Sequence, residues 1–232
     1  MTWLVPHSPK YLGPITNYIS IPTFPDLLAK FLYDQSHPDA PANQAADMIS
    51  HYQQYYYNGK IHVYHSATCI YNAQSDSTSS INGAVHQVIH CAPSWNHGPP
   101  RYDCVFVNND PDLPGFEGLY VGQVLLLFSI RSQIHRRDQD IPCALVQWFE
   151  VVGDEPCNLT GMWMVKPELD PITKQRVMSV IHVGSIIRPA HLIPLYGKEH
   201  VHHDLHAADS IKSYKGFYVN KFSDYHAYRL AF

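Results

Sequence analysis

One segment of the chain, CALVQWFEVVGDEP at residues 143–156, places large aromatic side chains next to acidic ones. An apolar run typical of a buried strand ends in Trp148 and Phe149. A short turn with a glycine then leads into Asp154 and Glu155. Aromatic walls beside carboxylates make half of a recognition pocket, but large aromatic side chains more often pack in a core, and a core Trp148 followed by a solvated acidic turn also fits the pattern. The residues alone leave both interpretations open.

A second segment, EHVHHDLH at residues 199–206, contains four histidines and an aspartate. Histidine and carboxylate side chains ligate zinc readily, so the segment raises the question of a metal site. The spacing matches neither HExxH nor HxHxDH, because Leu205 stands where the second motif needs histidine. No motif elsewhere completes a site. We therefore predict a solvated linker, no bound metal and no cofactor.

Motifs of the common enzyme classes are missing from the sequence. It contains no GxSxG nucleophile turn, no GxxxxGKS/T phosphate loop and no GxGxxG turn. A two-metal transposase centre needs carboxylates that converge, whereas Asp103, Asp110 and Asp170 are scattered along the chain. We predict a protein that is not an enzyme. A metal-dependent enzyme built on the histidine segment is the least favoured alternative.

A short basic cluster, RSQIHRRDQD, lies between two predicted strands and therefore on a loop. Arg131, Arg136 and Arg137 can contact phosphate there, which makes a nucleic-acid-binding accessory domain the main alternative function. Asp138 and Asp140 follow at once and weaken the positive field. The formal net charge of -4 also favours a basic partner over a phosphate backbone.

Length and composition limit the number of domains and the kind of protein that the chain can be. With 232 residues, 45% of them hydrophobic, the chain can bury the core of one large or two small domains. Tyrosine and histidine each supply 16 positions, so the clefts are built largely from aromatic and neutral polar groups. Five cysteines without a CxxC pair predict a reducing compartment. The longest nearly apolar run has about 13 residues against the roughly 20 that span a bilayer, so we predict a soluble, intracellular protein without membrane contact.

The elements that must position these residues change along the chain. Apolar residues at helical spacing predict one helix in TFPDLLAKFLYDQSHPD (23–39) and another in NQAADMISHYQQYYYNG (43–59). From Lys60 the pattern alternates, and KIHVYHSATCIY, AVHQVIHCA and YDCVFVNND predict strands. Further short apolar segments between residues 119 and 197 continue the series. An all-β barrel or sandwich is the natural architecture.

The last part of the chain returns to helical spacing. Apolar and aromatic residues follow one another there at intervals of three and four, and predict a C-terminal helix. They are Ile211, Tyr214, Tyr218, Phe222 and Tyr225. The predicted fold class is therefore mainly β with flanking helices.

Three strand segments resemble those of a bromo-adjacent homology (BAH) domain in their order and residue pattern. They are LYVGQVLLLFSI, ALVQWFEVVGDEP and VMSVIHVGSIIRPAHLIPLYG. The resemblance covers residues 102–197 and is strongest to the version in the largest subunit of the origin recognition complex. It implies a BAH-like β-barrel core at 94–197. An N-terminal α/β extension at 1–93 then packs on this core, and a histidine-rich linker and the C-terminal helix follow at 198–232.

In BAH domains that read histone tails, strand aromatics and an adjacent acid form a cage around a methylated lysine, a cation held over ring faces. Carried over to this chain, the resemblance implies a cage of Tyr120, Trp148 and Asp154. The partner is then a basic peptide, above all a histone tail, which an acidic rim beside the cage would attract. The rim residues are Asp110, Asp112, Glu117 and Glu155.

A second resemblance covers nearly the whole chain. RYDCVFVNNDPDLPGFEGL, VGDEPCNLTGMWMVKPEL and FYVNKFSDYHAYRLAF are similar to C-terminal regions of proteins encoded by DNA transposons of mushroom-forming (basidiomycete) fungi. This resemblance implies a nuclear, transposon-derived protein that recognises chromatin or docks onto a transposase or DNA. The catalytic part of a transposase would then lie outside this sequence.

Overall fold

The computed structural model describes residues 5, 8–37, 53–72, 84–134, 137–198, 200–201 and 203–231. Over these ranges the protein is mainly β, with a few helices. The helices are α1 (Leu12–Ile19), α2 (Phe24–Ser36), α3 (Ser210–Ser213) and α4 (Tyr225–Ala231). The strands are β1 (Ile61–Tyr64), β2 (Ser66–Asn72), β3 (Ala84–Ala92), β4 (Arg101–Tyr102), β5 (Cys104–Asn108), β6 (Leu119–Ile134), β7 (Arg137–Val151), β8 (Met164–Pro167), β9 (Met178–His182), β10 (Ile186–Ala190), β11 (Leu192–Pro194) and β12 (Phe217–Val219).

Nine of these strands form one antiparallel sheet in the order β10-β5-β6-β7-β8-β12-β11, with β1 paired to β6 and β9 paired to β7. The long hairpin of β6 and β7 is its centre, with 16 and 15 residues in the two strands. The sheet curls into a nearly closed, barrel-like shape. The prediction of a mainly β protein with a barrel-like core and flanking helices is confirmed at this level.

The central hairpin is covered on both faces, because successive side chains of a strand point in opposite directions. On the first face, Phe128 packs edge-to-face against Phe24 of α2, with the ring centroids 5.5 Å apart. On the second face, Val146 packs under the separate three-stranded sheet β2-β3-β4, which contributes Ala67 and Ile89. The N-terminal extension therefore covers the barrel and, through β1, also forms part of it.

The predicted helix at 23–39 corresponds to α2, which begins at Phe24 and ends at Ser36. Most of the second candidate, 43–59, lies outside the described residues, and only a 3-10 turn at Gln53–Tyr55 is seen. Helix α1 has no counterpart in the sequence prediction, although Pro14 lies in its first turn, where proline is tolerated. No helix in the described part of the chain is long and apolar enough to cross a bilayer.

The prediction of one continuous C-terminal helix is wrong for the residues between Ser213 and Tyr225. Only α3 and α4 are helical, and β12 lies between them, paired with both β8 and β11. Gly216 favours this arrangement, since a Cβ at that position would lie 2.8 Å from Leu195 Cδ1. Phe217 is fully buried in the barrel. Sheet pairing and burial therefore override the local helical spacing.

Helix α4 is fixed to the barrel by a buried ion pair. Arg188 in β10 is only 2% exposed, and its Nη1 donates to Asp224 Oδ1 at 2.7 Å while Nη2 donates to Oδ2. The same Oδ1 accepts the backbone N–H of Ala227 at 2.8 Å and so caps the start of the helix. The guanidinium also lies over the Tyr71 ring, 5.0 Å from its centroid. One arginine thus connects β10, β2 and α4.

Candidate cation-recognition site

Tyr120 and Trp148 lie side by side on one face of the sheet. Trp148 in β7 pairs with Gly122 in β6. Tyr120 precedes Gly122 by two residues and therefore points to the same side. The ring centroids are 5.7 Å apart and the ring planes are inclined by 58°. The two rings form an open aromatic corner, in which Tyr120 is 50% exposed.

The position of Trp148 is fixed by its surroundings. Its indole N–H donates a hydrogen bond to Ser179 Oγ in β9, at 2.8 Å. Gly122 leaves room for the indole, because a Cβ there would lie only 3.1 Å from Cε3 of Trp148. Trp148 is partly buried and packs against the core under the three-stranded sheet. The ring is therefore neither sealed in the core nor free in solvent.

Next to this aromatic corner the sheet opens. Val121 and Phe149 are the last paired residues of β6 and β7 at this end. Beyond them β6 continues along β5, while β7 continues along β8. A cavity of about 160 Å³ lies beside the ends of these strands. Its walls consist of Phe116, Leu119, Tyr120, Val121, Phe149, Glu150, Val151, Val165 and Glu168.

Two carboxylates give this cavity its negative charge. Burial raises the pKa of Glu168, the nearby Glu150 raises it further, and Arg176 acts in the opposite direction. Glu150 forms an ion pair with Lys166 across β7 and β8, with 3.2 Å between Oε1 and Nζ and both side chains about half exposed. A cation that enters the cavity would offset the repulsion between the two acids. The cavity can therefore accept an ammonium group.

The predicted cage residue Asp154 does not border this cavity. Asp154 and Glu155 are exposed in the bend after β7, which Gly153 enters with a φ of +81°. Asp154 makes no side-chain hydrogen bond or ion pair with the residues that the structure describes. Its role in the cage stays a prediction, and the acids that border the cavity are Glu150 and Glu168.

The other predicted rim acids lie in the loop that leads into β6. The backbone N–H groups of Asn109 and Asp110 both donate to the carbonyl of Gly118, so the loop folds back on the start of the strand. Asp110 Oδ1 accepts the backbone N–H of Asp112 at 3.0 Å. Asp112 and Glu117 are exposed. Their contribution as an acidic rim stays a prediction.

The prediction of a loop for the basic cluster is wrong over most of its length, because residues 131–134 belong to β6 and residues 137–140 to β7, where they pair with each other. Arg131 forms an ion pair with Asp140, at 3.1 Å. Arg136 and the side chain of Arg137 lie outside the described residues. The arginine that the structure does describe there already contacts a carboxylate, and the nucleic-acid alternative stays a prediction.

In the described part of the histidine segment, Nε2 of His203 lies 3.3 Å from Oδ1 of Asp204. Glu199 and His202 lie outside the described residues. Across the described ranges, no group of three or more histidine, cysteine, aspartate or glutamate side chains is arranged to hold a metal ion.

The sequence prediction missed Glu150 and Glu168 as site residues. Glu150 carried a usable signal, because a residue two positions after Trp148 in a strand must share its face. Glu168 carried no such signal. Its place depends on the loop after β8, where its backbone N–H donates to the carbonyl of Trp148 at 3.1 Å. That contact joins segments that are distant in the chain.

No family model, no curated protein and no solved structure matches this chain. The resemblances to a BAH domain and to fungal transposon proteins therefore stay predictions, and the candidate site rests on its own geometry.

Proposed function

We propose that this protein is a non-catalytic recognition module that binds a basic peptide through a lysine side chain. The observation that supports the proposal is the open corner of Tyr120 and Trp148 beside a cavity bordered by two carboxylates. The ammonium group lies over the two rings, and its charge faces Glu150 and Glu168. No bond is made or broken.

Two attractions of different range act on the lysine cation. A cation within about 6 Å of an aromatic centroid is attracted by the ring quadrupole, most strongly where it loses part of its water. The cavity of about 160 Å³ gives space for the end of a lysine side chain, and its rings Phe116 and Phe149 offer an apolar wall for the stem. The net charge of -4 adds a weak long-range attraction for a basic segment.

The resemblances narrow the proposed partner to a histone tail. Such tails are rich in lysine, and methylation makes the ammonium larger and less strongly hydrated, which favours the aromatic corner. We therefore propose chromatin recognition in the nucleus as the role of this transposon-related protein. Docking onto a transposase through a lysine of that partner would use the same corner.

The test measures binding of a fluorescent lysine-containing histone-tail peptide by anisotropy. Tyr120→Ala should weaken binding by about threefold to thirtyfold, the range of one cation–π contact. Tyr120 is half exposed, so its removal should leave the fold intact. Glu168→Gln keeps the shape of the side chain and should also weaken binding.

Tyr196→Ala is the matched control, since Tyr196 is likewise 50% exposed but does not border the cavity. A peptide with norleucine in place of the lysine keeps the stem and removes the charge. Equal binding of the two peptides, or equal losses in Tyr120→Ala and Tyr196→Ala, would show that the aromatic corner does not recognise the cation.

A further inference from the structure

A larger cavity, of about 440 Å³, lies on the face of the central hairpin opposite Trp148. Gln123 and Gln147 are cross-strand partners on this face, and Gln147 Nε2 donates to Gln123 Oε1 at 2.6 Å. The pair lies between two apolar clusters, one containing Leu126 and the other Val121. The cavity is therefore a polar gap between two halves of the core.

Two chain segments from outside the sheet border this cavity. The end of α1 contributes Tyr18, and Ile21 follows it. The region of α3 contributes Ala208 and Lys212 from the far side. Apolar side chains make up most of the wall, and the volume falls within the range of about 300–1,000 Å³ that small-molecule sites occupy. The cavity has the size and composition of a ligand site.

Two buried polar atoms in the wall have no partner among the described residues, Nε of Arg176 and Nε2 of His65. Arg176 uses only Nη2, which donates to the carbonyl of Trp148 at 2.9 Å. Its guanidinium also lies over the Phe149 ring, 4.9 Å from the centroid. Buried polar atoms are nearly always hydrogen-bonded, so Arg176 is left with an incomplete set of partners in the described part of the chain.

The charge of the wall selects the kind of partner. Among its described residues Arg176 and Lys212 are cationic, and none is an aspartate or glutamate. Glu168 acts on Arg176 through space but forms no ion pair with it within 4 Å. Burial lowers the pKa of His65, so its ring is neutral near pH 7 and one nitrogen can donate a hydrogen bond. The positive charge of this described wall suits an anion.

We propose that this cavity binds a small, mainly apolar carboxylic acid, with its carboxylate on the Arg176 guanidinium and its hydrocarbon part against Ile21, Leu126 and Met178. Arginine suits this role because its planar group matches a carboxylate. Arg176 contacts the Trp148 carbonyl, but the cavity is not lined by Tyr120 or Trp148, and neither proposal depends on the other.

Isothermal titration of the full chain with octanoate and with octanol tests the assignment. The wild-type protein should bind octanoate with one site and more tightly than octanol. Arg176→Met, which keeps an unbranched side chain without the charge, should weaken octanoate binding by at least about tenfold and leave octanol binding unchanged. Arg229→Met is the matched control, because Arg229 is exposed on α4 and does not line the cavity.

Thermal melting would reveal whether Arg176→Met is misfolded. A second variant tests the cavity independently of that substitution. Ala208→Trp places a large ring in the cavity wall on the α3 side and should abolish binding of both ligands. Equal affinity of the wild type for octanoate and octanol, octanoate binding that survives Arg176→Met, or binding that survives Ala208→Trp would each overturn the proposal.

Discussion

Gly122 sets the position of Trp148. A methyl group at this position would collide with Val146 Cγ1 and press on the indole. The absence of a side chain at Gly122 therefore lets the Trp148 ring lie against β6, with its N–H hydrogen-bonded to Ser179 and its centroid 5.7 Å from that of Tyr120.

Gly122→Ala should displace Trp148 and lower the free energy of unfolding by about 1–3 kcal/mol, the usual effect of overpacking. Urea titration monitored by tryptophan fluorescence measures both effects. Gly13→Ala is the control, because nothing lies within 4 Å of a Cβ there and alanine is favoured in helix α1. An unchanged stability and spectrum in Gly122→Ala would show that the corner does not depend on this glycine.

The buried Arg188 makes the protein sensitive to acid through His226. Burial lowers the pKa of His226, Arg188 lowers it further, and Asp224 partly opposes them. Nη1 of Arg188 lies 3.1 Å from Nδ1 of His226, so the ring must be neutral to accept a hydrogen bond there. Between the lowered pKa and the unfolded value near 6.5, the unfolded chain binds more protons than the folded one.

Stability should therefore be complete above about pH 6.5 and fall as the pH drops toward the lowered pKa of His226. His226→Gln, which cannot titrate, should show a shallower decrease between pH 7 and pH 5 when the free energy of unfolding is followed by denaturant titration. His65 contributes in the same direction, since burial lowers its pKa too. Parallel curves for the wild type and His226→Gln would contradict this assignment.

Among the elements, β12 shows most clearly how the tail completes the barrel. Phe217 is fully buried, and its ring packs edge-to-face against Phe149, with the centroids 5.8 Å apart. Phe217→Ala should lower the free energy of unfolding by about 3–5 kcal/mol, because it leaves a cavity in the core. Lys215→Ala, at an exposed position just before the strand, should change it by less than about 0.5 kcal/mol. Chemical denaturation of both variants decides whether the tail is part of the core.

The elements also show which features local sequence can predict. The long hairpin of β6 and β7 was predictable, because its apolar runs are continuous and bounded by turns. The tail was not, since Tyr214, Tyr218 and Phe222 follow helical spacing although β12 forms by pairing with distant strands. The same limit applies to the site. Trp148 and Tyr120 could be singled out from the sequence, but Glu168 reaches the cavity only through the tertiary path of its loop.

At the scale of the whole molecule, the central hairpin carries a different candidate site on each face. Trp148 faces the aromatic corner, while its neighbour Gln147 points to the other side, where it borders the larger cavity. Arg176 contacts the hairpin between them through the carbonyl of Trp148. The barrel thus supplies rigid strands for both sites, and the helices and the three-stranded sheet complete the walls.

The central claim is that the corner of Tyr120 and Trp148 receives a lysine cation. The most direct measurement is an NMR titration of the 15N-labelled protein with the lysine-containing histone-tail peptide, followed at the tryptophan indole N–H signals. The Trp148 signal, identified by its loss in Trp148→Phe, should shift with the binding curve, and that of Trp95, which does not border the cavity, should stay in place. A Trp148 signal that does not move at saturating peptide would contradict the claim.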